Sequence, residues 1–131
     1  MNSPVDLSGH GVRLYPDGRV AAEPHPMHPA EDGWTLAIFA AETDADVHGD
    51  HWEMHPAGDE LVTVLSGQIR IFLRPEGPSA GEEEPVTLAA GSAFVMPRGR
   101  WHRIEVPGPS RLMAITLRPG TRLERRAGGP S

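Results

Sequence analysis

Short apolar runs, separated by turn-forming residues, recur along the whole of the 131-residue chain. In several of these runs apolar and polar side chains alternate, which is the pattern of a half-buried β-strand. The pattern predicts strands at residues 12–15, 19–22, 34–41, 47–55, 60–66, 68–73, 85–88, 92–96, 101–106 and 112–117. Short strands at such regular spacing are typical of an all-β barrel or sandwich.

Turn signals indicate how these strands are connected. Pro16-Asp17-Gly18 predicts a β-hairpin over residues 12–22, and the polar, Pro/Gly-rich stretch 74–85 predicts a longer hairpin loop. The Gly-containing segment 119–131 is expected to form a flexible tail. Because no linker or internal repeat divides the sequence, we expect residues 1–131 to form one domain with its core at about 34–118.

The composition limits which binding partners and which cellular compartment we expect for this protein. A net charge of −6 argues against a nucleic-acid partner. The absence of cysteine excludes disulfides and thiolate metal sites, and it fits a reducing cytosol. No stretch approaches the roughly 18 apolar residues of a membrane span, and the N-terminus has no signal-peptide pattern. We therefore expect a cytoplasmic protein that binds neither nucleic acid nor a membrane.

Potential metal ligands are concentrated in residues 51–60, which contain His51, Glu53, His55 and Glu60, and His102 follows much later. On a strand, Glu53 and His55 point to the same side, about 6.6 Å apart along the chain. Both could therefore contact one ion at the usual distance of about 2.0–2.2 Å. The turn at 56–59 would let Glu60 approach from the next strand, so the pattern predicts a site for one divalent ion.

A helical interpretation of the same histidines is much weaker. His51 and His55 have the spacing of the two histidines on a metalloprotease helix, but that motif requires a glutamate directly after the first histidine. Trp52 occupies that position, and Gly49 and Pro56 bracket the segment too closely for a stable helix. We therefore set the zinc-peptidase interpretation aside.

Two motifs in the chain resemble those of the cupin superfamily. The first family motif is G-x5-H-x-H-x3-4-E-x6-G, and here His55, Glu60 and Gly67 stand at matching intervals. The second is G-x5-P-x-G-x2-H-x3-N, and it is matched by Gly91, Pro97, Gly99 and His102. The motifs span residues 49–67 and 91–106. The resemblance implies a small single-domain cupin, which folds as a double-stranded β-helix, also called a jelly-roll barrel.

The chain departs from the family motifs at three positions. Glu53 replaces the first metal-binding histidine, Val47 replaces the leading glycine, and Val106 replaces the final asparagine. The resemblance therefore implies the metal ligands Glu53, His55, Glu60 and His102. His51 lies on the same predicted strand face, where it could replace Glu53 as a ligand or hydrogen-bond to one.

The glutamate substitution changes the expected charge of the site. Two carboxylates and two neutral imidazoles cancel the charge of a divalent ion, which makes the ion a weaker Lewis acid. An oxygen-rich set of this kind suits Fe or Mn best, with Zn or Ni as alternatives. Four protein ligands would leave one or two positions of a six-coordinate ion open to O₂, water or a chelating substrate.

Several residues near the ligands in the sequence are candidates for the side chains that line the site. Val62, Val64 and Ile104 alternate with ligands on inward faces, so we expect them to form an apolar cavity wall. Arg70 and Arg98 lie close to the motifs in sequence. Either could hold a carboxylate through its guanidinium group.

Two functional classes follow from the resemblance. The first is a small-molecule enzyme, either a dioxygenase or a metal-assisted lyase or isomerase. The second is a non-catalytic cupin that binds or senses a small molecule. The fold does not choose between them. We also expect a homodimer, because the hairpin at 12–22 and the apolar strand at 34–41 would leave an exposed sheet edge that a second copy could cover.

Overall fold

The computed structural model of the protein describes residues 3–28, 32–76 and 85–126. The strands within these ranges are β1 (His10–Leu14), β2 (Val20–Pro24), β3 (Trp34–Ala41), β4 (His51–Met54), β5 (Glu60–Ser66), β6 (Gln68–Leu73), β7 (Pro85–Ala89), β8 (Ala93–Met96), β9 (His102–Glu105), β10 (Ser110–Thr116) and β11 (Arg122–Arg125). A short 3₁₀-helix, Asp44–Val47, precedes β4. None of the described helical structure is long and apolar enough to cross a membrane. The all-β prediction is confirmed.

The strands form two antiparallel sheets that pack face to face. The larger sheet has the order β2-β1-β3-β10-β5-β8, and the smaller has the order β11-β4-β9-β6-β7. Side chains from both sheets meet in one hydrophobic core, which includes Val62, Val64 and Leu112 from the larger sheet and Ile69 and Ile71 from the smaller. The predicted jelly-roll architecture is therefore confirmed.

Strand β5 shows how the alternating pattern selects the inward face. Its first, third and fifth residues (Glu60, Val62 and Val64) are buried, whereas Leu65 on the opposite face is 43% exposed. Successive side chains of a strand point to opposite faces, so Glu60 shares the inner face with the two core valines. A carboxylate at this position is carried directly into the interior of the barrel.

The turn between β5 and β6 depends on Gly67. This residue has a φ of +84°, a left-handed conformation that glycine adopts without steric cost. A Cβ atom here would also lie 2.7 Å from the carbonyl oxygen of Pro109. The turn carries the chain from the larger sheet to the smaller one, so it links the two halves of the core.

The segment predicted as one strand at 47–55 is shorter in the structure. The 3₁₀-helix ends at Val47, and β4 covers only His51–Met54. The Asp46 carboxylate accepts hydrogen bonds from the backbone amides of Glu42 (2.8 Å) and Thr43 (3.2 Å). Such local side-chain bonds to the backbone compete with strand pairing and explain the difference. Most of the predicted loop at 74–85, namely residues 77–84, lies outside the described residues.

The segment predicted as a flexible tail also differs in the structure. Residues Arg122–Arg125 form β11, which pairs antiparallel with β4. Its four side chains are exposed, so backbone hydrogen bonds rather than apolar burial hold it in place. The amide of Arg126 continues the contact by donating to the carbonyl of Asp50 at 3.0 Å. The rest of the predicted tail, residues 127–131, lies outside the described residues.

Candidate metal centre

Four predicted ligands converge where the two sheets meet. Glu53 on β4 stands directly opposite His102 on β9. His55 comes two residues after Glu53, just beyond the end of β4, and Glu60 opens β5 in the other sheet. One ligand atom from each of these four side chains lies within 4.8 Å of the others, so the cluster could hold a metal ion. The assignment of the four as metal ligands stays a prediction.

The distances within this cluster suit a single ion. The Nε2 atom of His55 lies 3.5 Å from a carboxylate oxygen of Glu53 and 3.3 Å from one of Glu60. The corresponding distances from His102 Nε2 are 3.6 and 3.5 Å. Two atoms that each lie about 2.1 Å from a common ion are themselves about 3.0 to 4.2 Å apart, depending on the angle between them. All four distances fall in that range.

The two imidazole rings present their Nε2 atoms to the cluster. His102 Nδ1 lies 3.2 Å from the carbonyl oxygen of Arg100, which can only accept, so Nδ1 carries the proton. His55 Nδ1 contacts the Thr121 hydroxyl at 2.8 Å. Both Nε2 atoms are buried and have no hydrogen-bond partner within the described part of the chain. A neutral ring with its proton on Nδ1 aims an unshared electron pair at the carboxylates, an arrangement that a cation between them would satisfy.

Hydroxyl groups hold the other side of the cluster. The buried Thr116 on β10 donates a 2.6 Å hydrogen bond to a carboxylate oxygen of Glu60. The Thr35 hydroxyl donates in turn to the backbone carbonyl of Thr116 at 3.2 Å. Partners of this kind orient ligands and strengthen metal binding. Sequence reasoning missed Thr116 and Thr121 because each lies more than fifty residues from the ligand it contacts.

The metal-free cluster has strongly altered acid–base properties. Burial disfavours the charged form of His55, but the nearby carboxylates of Glu60 and Glu53 outweigh it and raise the pKa of His55 from 6.5 to about 9. Burial also disfavours the charged form of Glu53, yet the imidazoles of His102 and His55 hold the pKa of Glu53 well below its usual range. Without metal, a proton on His55 therefore supplies positive charge that partly balances the two carboxylates.

This coupling predicts a pH-dependent stability for the metal-free protein. The pKa of His55 is raised on folding. The stability that His55 contributes is therefore fully present below pH 6.5 and is lost as the pH rises through about 9. We expect the free energy of unfolding to fall by up to about 3 kcal/mol across that window. Metal takes the place of the proton, so the loss should be absent with Mn²⁺ bound. Urea unfolding at several pH values, with chelator and with Mn²⁺, measures both profiles, and a flat metal-free profile would contradict the coupling.

A cavity of about 260 Å³ opens beside the cluster. Its wall is a mixture of apolar and polar side chains and includes two of the candidate ligands. It is lined by Thr35, Ala37, Phe39, Asp46, Val47, His48, Glu53, Glu60, Val62, Ile104, Ala114, Thr116 and Arg118. Val62 and Ile104, two of the residues predicted to form a cavity wall, lie in this wall. Val64 does not, because it is fully buried in the hydrophobic core between the sheets.

Three other predicted site residues lie away from this cavity. Arg70 pairs with Glu105 at 3.2 Å, and Arg98 donates to the backbone carbonyl of Pro56 at 2.7 Å. Neither is therefore placed to bind an anion in the cavity, where Arg118 lies instead. His51 contacts the Asp50 carboxylate at 2.8 Å and is outside the cluster of four.

Comparison with known protein families and curated proteins gives two matches. A family model described as a cupin domain matches residues 42–117, which include all four candidate ligands. An uncharacterized protein of Bacillus subtilis (strain 168), YdbB, is 32% identical over 68 residues, which are 52% of this chain and 48% of that protein. The chain thus spans about half the length of this curated relative.

Solved structures share the fold at low sequence identity. A cupin superfamily protein from Desulfitobacterium hafniense DCB-2 aligns with a TM-score of 0.50 and 20% identity, over 66% of this chain and 69% of that one. An oxalate oxidase in complex with the substrate analogue glycolate aligns with a TM-score of 0.50 and 21% identity, over 69% and 44% of the respective chains. At these identities the likeness extends to the fold alone.

Proposed function

Because the chain belongs to the cupin domain family, we propose that it is a metal-dependent cupin that acts on a small molecule inside its barrel. The observation that carries the proposal is the pair of buried Nε2 atoms, on His55 and His102, which face two carboxylates without hydrogen-bond partners among the described residues. A divalent ion would satisfy both imidazoles and both carboxylates at once.

The donor set supports Fe or Mn as the resident metal, with Zn or Ni as alternatives. It consists of two carboxylates and two imidazoles, and the chain contains no thiolate. When bound, such an ion would polarise a substrate oxygen or activate O₂, which is the chemistry of dioxygenases and of metal-assisted lyases and isomerases. The chain's own residues hold the ligands, through Thr116 on Glu60 and Thr121 on His55.

A non-catalytic binding or sensing function is the second candidate. The observation that favours it is the presence of two carboxylates in the cluster, since they neutralise a divalent ion and weaken it as a Lewis acid. A sensor would retain its small molecule unchanged, whereas an enzyme would convert it or consume O₂.

Metal content per chain tests the proposal. We would purify the wild type anaerobically beside a His55→Ala, His102→Ala double variant, confirm both folds by circular dichroism, and measure metals by mass spectrometry. About one iron or manganese per wild-type chain, lost in the double variant, is the expected result. O₂ uptake on addition of candidate small molecules would then favour the enzyme over the sensor. No metal in the wild type, even after reconstitution, would refute a metal-dependent function.

We also propose that two copies pair through the edge of the larger sheet formed by β2. This strand is mostly exposed, and Val20 at its start is 64% exposed. Among the described strands β2 lies at one end of its sheet, and an outermost strand that carries an apolar side chain is a ready site for a second copy. Light scattering should give about twice the 14.2 kDa of one chain. Val20→Lys should produce monomers, whereas Val95→Lys on the other edge strand should not, and a wild-type monomer at micromolar concentration would exclude the dimer.

A cytoplasmic location is part of this proposal and remains a prediction from the sequence. It is tested by fractionation of cells that produce the protein at its natural level.

A further inference from the structure

Arg118 is an exposed residue that lies in the wall of the cavity beside the cluster. It follows the end of β10 by two residues, and its backbone carbonyl accepts a 3.0 Å hydrogen bond from the amide of Thr121. The same cavity wall includes Glu53 and Glu60 of the cluster. The segment from Thr116 to Thr121 therefore contributes two hydroxyl contacts to the ligands, and it places Thr116 and Arg118 in the cavity wall.

The guanidinium group of Arg118 is not neutralised by any acidic residue within 3–28, 32–76 and 85–126. In this respect Arg118 differs from Arg70, which pairs with Glu105. The remaining carboxylate of the cavity wall, Asp46, accepts two backbone amide hydrogen bonds through one of its oxygens. Arg118 thus keeps its donors available, and a guanidinium group binds a carboxylate in a planar, two-point geometry.

The charge of the cluster makes this arginine important for an anionic ligand. Two carboxylates cancel the charge of a divalent ion, so the loaded cluster attracts an anion only weakly. Arg118 is the only arginine in the cavity wall that the structure describes. The wall also contains apolar side chains, among them Phe39, Val62 and Ile104.

We propose that the cavity takes a small carboxylic acid, with Arg118 binding its carboxylate. The ligand would have an apolar body against the apolar residues of the wall and a second oxygen at the end that approaches the cluster. A volume of about 260 Å³ lies below the 300–1,000 Å³ of typical drug-sized sites, which limits the ligand to a few carbons or one ring. This inference rests on the proposed metal-dependent function and names the substrate class of that site.

Paired acids and amides test the role of Arg118. We would load the protein with Mn²⁺ and titrate it by calorimetry with 3-hydroxybutanoate, 3-hydroxybenzoate and the amide of each acid. At least one acid should bind about tenfold tighter than its amide, which is the effect of one charge-assisted hydrogen bond. Arg118→Gln should abolish this preference without changing the affinity for Mn²⁺. The matched control is Arg111→Gln, an exposed arginine on β10 that does not line the cavity.

The outcomes separate this inference from the function on which it rests. Failure of the wild type to bind Mn²⁺ would overturn the metal-dependent function and the ligand class with it. Normal Mn²⁺ binding with no preference of either acid over its amide, or with a preference that survives Arg118→Gln, would overturn the inference alone. A preference lost equally in Arg111→Gln would show a general effect of surface charge and would also overturn it.

Discussion

Replacement of His102 by alanine is expected to lower the affinity of the protein for a divalent metal ion by at least about 100-fold. Loss of a partner that merely orients a ligand costs about 10- to 100-fold in affinity, so loss of a ligand should reach or exceed the upper end of that range. His102 is only 2% exposed, and its Nε2 atom lies within the cluster. Competition between the protein and a chromophoric chelator for Mn²⁺ or Co²⁺ measures the change.

The matched control is His51→Ala. His51 precedes Glu53 by two residues on β4, but its ring contacts the Asp50 carboxylate rather than the cluster. Its removal should change the metal affinity by less than about threefold, a change of less than 1 kcal/mol. Equal losses in the two variants would mean that His51 is a ligand, and unchanged affinity in both would place the metal elsewhere.

Replacement of Leu112 by alanine is expected to reduce the free energy of unfolding by about 2 to 5 kcal/mol. Leu112 is completely buried on β10, between Phe39 of β3 and Val64 of β5 in the register of the larger sheet. Truncation removes apolar contacts and leaves a cavity that a close-packed core only partly fills. Urea unfolding of the metal-free protein followed by circular dichroism gives the difference.

Leu65→Ala serves as the control for this core substitution. The two variants remove the same atoms, but Leu65 points away from the core and is 43% exposed. Its truncation should cost less than about 1 kcal/mol, since a side chain that keeps much of its surface in water gains little on folding. A similar loss in both variants would indicate that the outer face of the larger sheet is itself covered.

The strands whose bounds could be predicted from the sequence are runs rich in apolar residues that are bounded by turn-forming or polar residues. Predicted strands 34–41, 60–66 and 68–73 coincide with the bounds of β3, β5 and β6. Strand β11 carries four exposed side chains and is held by pairing with β4, so its sequence contains no alternating pattern to detect. The 3₁₀-helix Asp44–Val47 is accompanied by backbone hydrogen bonds that the Asp46 carboxylate accepts. The periodicity of apolar residues does not reveal such bonds.

The candidate ligands could be predicted because they stand at fixed intervals within two motifs. His55 and Glu60 flank one turn, and His102 is brought to Glu53 by the pairing of β4 with β9. Their supporting partners could not be predicted, because a threonine hydroxyl in a strand or loop has no distinctive spacing. Arg118 was overlooked for a similar reason, since the position of its side chain depends on the path of the chain after β10.

Strand β11 also protects the sheet against self-association. It covers the hydrogen-bonding edge of β4, the strand that carries Glu53, and three of its four exposed side chains, those of Arg122, Glu124 and Arg125, are charged. A shortened chain that ends at Leu117 would leave that edge open, and open edges recruit strands from other molecules into aggregates. Charged residues on an outermost strand discourage the addition of another strand. The strand that closes this edge of the sheet therefore also carries the charges that discourage aggregation.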